Sequence, residues 1–279
     1  MRVAVIIVNF RTPHLVIDAL ESLRGQVDPQ LDHVVVVDND SGDGSAELIE
    51  DAIARRGMRA WVSCIRSPRN GGFSAGNNTG IRAVHADYYL LLNSDTVVRP
   101  HAVSTLLAEM RARPNVGIGG PRLESSDNSP QISCFRDHGV WSELIYAART
   151  RHVTRLLRRF EVPVPVSDVP RHADWLSFAC VMIRREVFEK VGLLDEGFFM
   201  YFEDADFCRM ARAAGFEVSC FPRARVVHLC GGSSDVQSSL VSGRRPPRYF
   251  YASRARYFHK GYGRLGLVLA NLGWYAGRT

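Results

Sequence analysis

The chain has 279 residues, 46% of them hydrophobic, enough apolar material to bury a substantial core and to exclude a disordered tail. Lys and Arg number 35 against 29 Asp and Glu, a formal charge of +6 that suits a nucleotide, an anionic lipid headgroup or nucleic acid without choosing among them. The six cysteines, Cys64, Cys134, Cys180, Cys208, Cys220 and Cys230, include no Cys-x-x-Cys pair, which excludes a zinc knuckle or thioredoxin-like motif and leaves reduced, mostly buried thiols.

Residues 1–8 are apolar but stop at Asn9, too short for a secretory leader and suited to a buried first strand over residues 3–8. A helix over 13–23 follows, with Leu15, Ala19, Leu20 and Leu23 at helical spacing. The pattern then alternates: a strand at 34–37, a helix at 45–56, a strand at 61–65, a helix at 75–84 and a strand from Tyr88 into Asp95. This is the βαβ order of a parallel, doubly wound α/β sheet. Its ligand crevice is expected at the strand ends, namely Asn9, residues 38–41, 66–72 and 93–95. After a helix at 100–113 and a strand at 116–121 the pattern weakens, and residues 124–172 mix polar turns with a basic helix, as in a variable insertion over a site. A strand over 175–183, a helix starting at Arg185 and a dense run over 195–212 come next. From Arg244 onward, basic and aromatic residues interleave at helical spacing. No stretch is long and clean enough to cross a bilayer, so the expected location is the cytoplasm, with peripheral contact to the inner face of the plasma membrane.

Four clusters carry chemistry. The strand Leu90-Leu91-Leu92 ends in Asn93-Ser94-Asp95, placing one carboxylate where a metal or phosphate would be held, or where a strand merely reaches the surface. Asp38-Asn39-Asp40-Ser41-Gly42-Asp43-Gly44 offers short polar side chains to a nucleobase or ribose, or a plain turn with Asp43 or Ser45 as a helix cap. Residues 70–78 form a glycine-rich loop before a helix, without the Gly-Lys-Ser/Thr ending of a Walker A loop. In the run Phe198-Phe199-Met200-Tyr201-Phe202-Glu203-Asp204-Ala205-Asp206, Glu203 and Asp206 share a helical face and Asp204 points elsewhere. Carboxylates crowded beside aromatics have raised proton affinity, as a general base near neutral pH requires; acids matched to a helix dipole are the plainer reading. His228 closes the strand Val226-Val227-His228 before a second glycine loop at 231–234, a structural histidine or a partner for Asp95 on a manganese-like ion.

Taken in order, Val3-Ala4-Val5-Ile6-Ile7-Val8-Asn9-Phe10, Val36-Val37-Asp38-Asn39, Asn70-Gly71-Gly72-Phe73, Leu92-Asn93-Ser94-Asp95, Glu203-Asp204-Ala205-Asp206 and His228 resemble the inverting glycosyltransferases of family 2, above all their rhamnosyltransferase-like branch. The resemblance implies a GT-A fold, a Rossmann-like, mostly parallel sheet flanked by helices, binding a nucleotide-diphosphate sugar through a divalent Mn2+ or Mg2+ ion. Residues 1–121 would form the nucleotide-sugar half, 122–243 the acceptor and catalytic half of the same domain, and 244–279 a basic, aromatic helical segment. By the same resemblance, Val8, Phe10, Asp38 and Asn39 contact the nucleoside; Asn70, Phe73, Gly76 and Asn77 lie beside ribose and phosphate. Asn93 and Ser94 accompany Asp95, the retained metal ligand of an Asp-x-Asp motif whose first acid is here Asn93. His228 completes the metal shell and Asp204 is the catalytic base. Trp175, Asp195, Glu203 and Asp206 serve the acceptor side or support the base. Phe178 and Met210 stand where similar sequences carry glycine and arginine.

The implied activity is transfer of a sugar, rhamnose from a dTDP donor as first choice, to a hydroxyl of a glycan or polyprenyl-linked glycan in cell-wall or polysaccharide synthesis. Arg254, Arg256 and Lys260 are expected to face the diphosphate. Two other readings stay open: a non-catalytic nucleotide-sugar or glycan-binding protein, for which Asn93 speaks, and a basic, aromatic C-terminal segment that grips single-stranded nucleic acid or, preferred here, rests on an anionic membrane with residues 265–274 as apolar contact.

Overall fold

A computed structural model describes residues 1–229 and 245–278. Eleven strands lie in chain order at Val3–Asn9 (β1), Asp32–Asp38 (β2), Val62–Arg66 (β3), Tyr88–Asn93 (β4), Thr96–Val98 (β5), Val116–Glu124 (β6), Cys134–Phe135 (β7), Arg171–His172 (β8), Trp175–Leu176 (β9), Cys180–Arg184 (β10) and Glu217–His228 (β11). The helices are Pro13–Leu23 (α1), Ser45–Arg55 (α2), Gly72–Ala83 (α3), Ala102–Arg111 (α4), Val140–Ala148 (α5), Arg151–Leu156 (α6), Arg185–Val191 (α7), Glu203–Ala213 (α8) and Arg248–Ala276 (α9). The main sheet runs β3-β2-β1-β4-β10-β6-β11-β5, with β8 against β11, and β7 pairs with β9 apart from it.

The first four strands are parallel and become so by burial on both faces. Val3, Val5 and Ile7 of β1 enter one core, with Val16, Leu20 and Leu23 of α1, while Ala4 and Ile6 enter the other, with Ile81 of α3. The unbroken apolar run is therefore two interleaved sets, each side chain sent to an opposite face by the strand's period of two. Register aligns the strand ends: Asn9 lies opposite Asp38, Val8 opposite Asn93 and Asp38 opposite Arg66. The polar residues that stop the strands thus lie along one edge of the sheet.

The second half departs from the simple alternation. The expected strand over 175–183 is two strands, β9 and β10, broken at residues 177–179, and β10 runs antiparallel between β4 and β6. β4 stops at Asn93, so Ser94 and Asp95 form a turn into β5, which pairs antiparallel with the end of β11 at His228 and Thr96. Helix α3 begins at Gly72, earlier than expected, so the glycine loop is largely its first turn. Helix α9 bends at Gly263, which has φ of 70°. Among the described residues no helix is long and apolar enough to cross a membrane. Cys230, residues 231–234 and Arg244 lie outside the described residues.

Candidate functional site

The edge of strand ends carries a connected polar floor. Asn9 is fully buried, and its amide donates to Asp38 Oδ1 (2.7 Å) and Ser41 Oγ (3.1 Å). Ser41 Oγ donates in turn to Asp38 Oδ1 (2.6 Å) and accepts from the Arg11 backbone N–H (3.0 Å), while the Ser41 N–H reaches Asp38 Oδ2 (3.2 Å). Thr12 donates to Asn9 Oδ1 (3.2 Å) and shares a hydrogen bond with Ser94 Oγ (3.1 Å), joining the ends of β1 and β4. Ser41 belongs to the polar cluster the sequence singled out; Thr12 does not, and its signal is a small hydroxyl residue just past a strand end. Val8 is half-buried, and Phe10, exposed beside this floor with the Arg11 guanidinium 5.1 Å from its ring, offers an aromatic face.

Asn39 and Asn70 couple the floor to α3. Asn39 Nδ2 donates to Asn70 Oδ1 and to the Gly72 carbonyl, both at 3.0 Å, and its own Oδ1 is buried with no hydrogen-bond partner. Gly72 has φ of 83°, and a Cβ there would lie 2.0 Å from the Phe199 carbonyl, to which the Phe73 N–H donates at 2.7 Å. Only glycine permits that approach. Gly76 lies against Val8, where a Cβ would meet a methyl at 2.7 Å, and Asn77 donates back to the Phe73 carbonyl (2.9 Å) within the helix.

Asp95 is different. It is fully buried, among the described residues neither carboxylate oxygen has a hydrogen-bond partner, and His228 Nε2 lies 3.5 Å from its Oδ1. An ionised carboxylate in that position is costly unless a cation joins it. A carboxylate paired with an imidazole suits a divalent transition ion such as Mn2+, so Asp95 and His228 are the residues that would hold one. No cluster of three or more metal-binding side chains occurs among the described residues. Asn93 is half-buried, and its backbone rather than its side chain is engaged: its N–H donates to the Ala179 carbonyl (2.9 Å) and its carbonyl accepts from Thr96 Oγ1 (2.6 Å).

Asp204 sits in the first turn of α8, entered through Tyr201 and Phe202, both left-handed with φ of 70° and 67°. Two consecutive non-glycine residues in that region store strain at the site. Burial pushes the Asp204 carboxyl up to about 7, against the opposing effect of N–H groups from Ala205 (2.8 Å) and Phe178. Glu203 beside it is buried with Oε2 unpartnered, and burial first and the Asp204 charge second hold its proton affinity well above the ordinary carboxylate range. The turn over 177–179 follows β9, which packs on α8, and its Ala179 carbonyl accepts from the Asn93 N–H at the end of β4.

Several expected contacts are structural instead. Lys260 bridges Asp206 (2.5 Å) and Asp195 (3.0 Å), and Arg256 is bidentate on Asp195 at 2.8 and 3.1 Å. Burial raises the Asp195 carboxyl, but the bonds from Arg256, Gly197 and Lys260 outweigh it and hold the group down at about 2. Arg254 is buried on Glu143 (2.6 Å) and Asn271 (2.8 Å), between Phe258 and Trp274. All three cations expected at the diphosphate thus fix α9 to the body of the molecule. Asp206 is further held by Arg209 (2.6 Å), and Trp175 donates to the Arg136 carbonyl (2.8 Å) while stacking on Phe135 at 4.0 Å. His138, which the sequence reading did not single out, packs against Trp175, Phe202 and Tyr257, and burial first, then the Arg254 charge, lower its pKa to about 4.

Comparison with known proteins gives this arrangement a family. The chain is 28% identical over 231 residues to the low-salt glycan biosynthesis hexosyltransferase Agl10 of Haloferax volcanii, covering 77% of this chain and 63% of that one. It is 28% identical over 187 residues to the N-acetylglucosaminyl-diphospho-decaprenol L-rhamnosyltransferase of Mycobacterium tuberculosis, covering 65% and 59%. The chain thus spans about three-fifths of the length of these relatives. A crystal structure of GalNAc-T7 with UDP, GalNAc and Mn2+ superposes with a TM-score of 0.65 at 17% identity, over 82% of this chain and 44% of that one, which establishes the GT-A fold. The sequence pattern of glycosyl transferase family 2 matches residues 4–192, and with that match the chain belongs to the family.

Proposed function

We propose that the protein is an inverting sugar transferase that moves a hexosyl group, rhamnose from a dTDP donor in the first instance, to a hydroxyl of a lipid-linked glycan at the cytoplasmic face of a membrane. What supports this reading is that α8, whose first turn bears the raised acid Asp204, packs on β9, and the turn after β9 bonds to the end of β4 that leads into the buried Asp95. Residues 1–121 supply the donor half, 122–243 the acceptor half with the base, and 244–279 the helical segment. The Agl10 and rhamnosyltransferase relatives support glycan and prenyl-linked substrates.

On this reading Phe10 stacks on the nucleobase and the buried Asn39 Oδ1 is an acceptor that a pyrimidine N–H satisfies. Asp95 and His228 would hold the divalent ion, which would supply positive charge against that of the leaving diphosphate. Asp204, ionised above about pH 7, takes the proton of the acceptor hydroxyl as its oxygen attacks the anomeric carbon from the face opposite the diphosphate, and the sugar–phosphate bond breaks with its electrons on the leaving oxygen. One displacement inverts the centre and needs one base. Burial and the neighbouring Asp204 charge raise the proton affinity of Glu203, which favours one negative charge rather than two at this turn.

The test is incubation with labelled dTDP-rhamnose and other nucleotide sugars, Mn2+ and a prenyl-diphosphate N-acetylglucosamine acceptor. The expected result is acceptor-dependent release of nucleoside diphosphate with an inverted linkage. Binding of the nucleotide sugar without release would establish a binding protein instead, the reading that Asn93 favours.

A further inference from the structure

Beyond the Gly263 bend, helix α9 changes character. Leu265, Val268, Leu269, Leu272 and Tyr275 are 70%, 52%, 40%, 58% and 69% exposed. Their spacing puts them on one stripe of the helix, while Leu267, Ala270 and Trp274 of the opposite stripe lie against the protein. A soluble surface rarely carries so continuous an apolar ridge. No charged residue interrupts it, and an exposed arginine stands at each end, Arg264 and Arg278.

The neighbouring surface is basic. Gly273 and Gly277 pack on α5, where a Cβ would lie 2.8 Å from the Val140 carbonyl and 2.6 Å from the Leu144 carbonyl, so the end of α9 runs along α5, and α6 begins at Arg151, shortly after α5 ends. That segment carries the exposed Arg151, Arg155, Arg158 and Arg159, and Leu156 at 84% exposure. Among the described residues none of these four arginines pairs with an acid, whereas Arg2, Arg66, Arg212 and Arg254 elsewhere each do. A Trp141–Phe160 contact, ring centroids 5.9 Å apart, with Arg159 over Phe160, ties the basic segment to α5.

We propose that this face, the ridge of α9 with the basic α6 segment beside it, docks in the plane of an anionic lipid bilayer. An apolar stripe flanked by unpaired arginines matches an interface where acyl chains lie just beneath negative headgroups. A second copy of the chain would meet the same positive charge on itself. The first half of α9 packs on the segment leading to Asp204, through Ser253 to the Met200 carbonyl (2.9 Å) and Phe202 on Tyr257, ring centroids 5.6 Å apart. One helix therefore links the docking ridge to the segment before Asp204.

The test is co-sedimentation with phosphatidylcholine vesicles, with and without phosphatidylglycerol, and it needs no turnover, so its outcome is separate from that of the transferase assay. Wild type is expected to bind only the anionic vesicles and to be released by salt. The triple variant Leu265→Ser, Leu269→Ser and Leu272→Ser should lose about tenfold or more in partitioning, and Arg155→Gln or Arg158→Gln about fivefold each, with circular dichroism unchanged. Equal binding by wild type and the triple variant, or no binding by wild type at low salt, would overturn the proposal. So would a concentration-dependent dimer that the triple variant dissolves, since a second copy would then cover the ridge.

Discussion

Two stretches of the same sheet edge treat their acids in opposite ways. At the ends of β1 and β2, Asp38 accepts bonds from Asn9, the Ser41 hydroxyl and the Ser41 backbone. At the end of β4 and the start of α8, Asp95 has two unpartnered oxygens, Glu203 has one, and burial raises Asp204 to about 7. Both are aspartates at strand ends, Asp38 the last residue of β2 and Asp95 in the turn just past β4, so residue type does not explain the contrast. What differs is the supply of internal donors. Asp38 is satisfied by the protein itself, whereas the oxygens of Asp95 and Glu203 are left open, on the proposed reading for a cation and an acceptor.

The largest break in that contrast is Asp204→Asn. Loss of the base should cut transfer by about 10²–10⁴-fold while leaving nucleotide affinity unchanged, as isothermal titration would show. The pH dependence separates chemistry from stability. Activity needs the ionised acid, so kcat/KM should rise as pH passes through about 7. The native state holds this proton more tightly than the unfolded chain does, so its contribution to stability is complete below the ordinary carboxylate pKa and is lost as pH rises through about 7. Wild-type Tm should therefore fall between pH 4 and pH 8 more steeply than that of Asp204→Asn. Parallel curves would remove the raised acid from the description.

The parallel half was legible because its rules are local. Period-two burial of β1 and helical spacing in α1 follow from side-chain geometry, and the polar stops at Asn9, Asp38 and Asn93 mark the crevice directly. The antiparallel β10 was not legible, since its apolar residues read as strand in either direction and the break over 177–179 depends on contacts with β4 and α8. The role of Arg254, Arg256 and Lys260 was hidden for the same reason. A basic helix looks ready for an anion until folding brings Glu143, Asp195 and Asp206 against it. Asp95 could be found from a strand ending in a carboxylate; its lack of donors could not.

Asp95→Asn and Asp38→Asn sharpen the comparison next. Neutralising Asp95 removes a buried charge with no donor, so Tm without metal should hold or rise, while the Mn2+-induced rise in Tm disappears and transfer falls by about 10²-fold. Asp38→Asn places an amide where three donors converge and should lower Tm while keeping the Mn2+ shift. If both variants moved Tm the same way, the two acids would not differ as described.

Gly72→Ala tests the joint between the two regions. A methyl group would meet the Phe199 carbonyl at a backbone φ of 83°, so helix α3 and the segment before Asp204 must separate. The expected cost is about 2 kcal/mol or more, read by urea denaturation, with kcat falling alongside because Asp204 moves with that segment. A loss of stability with kcat intact would show that α3 does not position the base.

The smallest effect should come from Ser41→Ala, within the finished floor. Ser41 Oγ uses its whole capacity, donating to Asp38 and accepting from Asn9 and the Arg11 N–H. Its removal leaves the Asn9 amide bonded to Asp38 and deprives the Arg11 N–H of its acceptor, a cost of about 1 kcal/mol in stability. Arg11 has φ of 60° and follows Phe10, so loss of its anchor lets the exposed ring shift. The kinetic consequence should fall on donor binding, a KM for the nucleotide sugar raised about fivefold with kcat and the Mn2+ requirement unchanged. A fall in kcat instead would mean that the floor takes part in the chemistry, and the division between the two stretches of the edge would not hold.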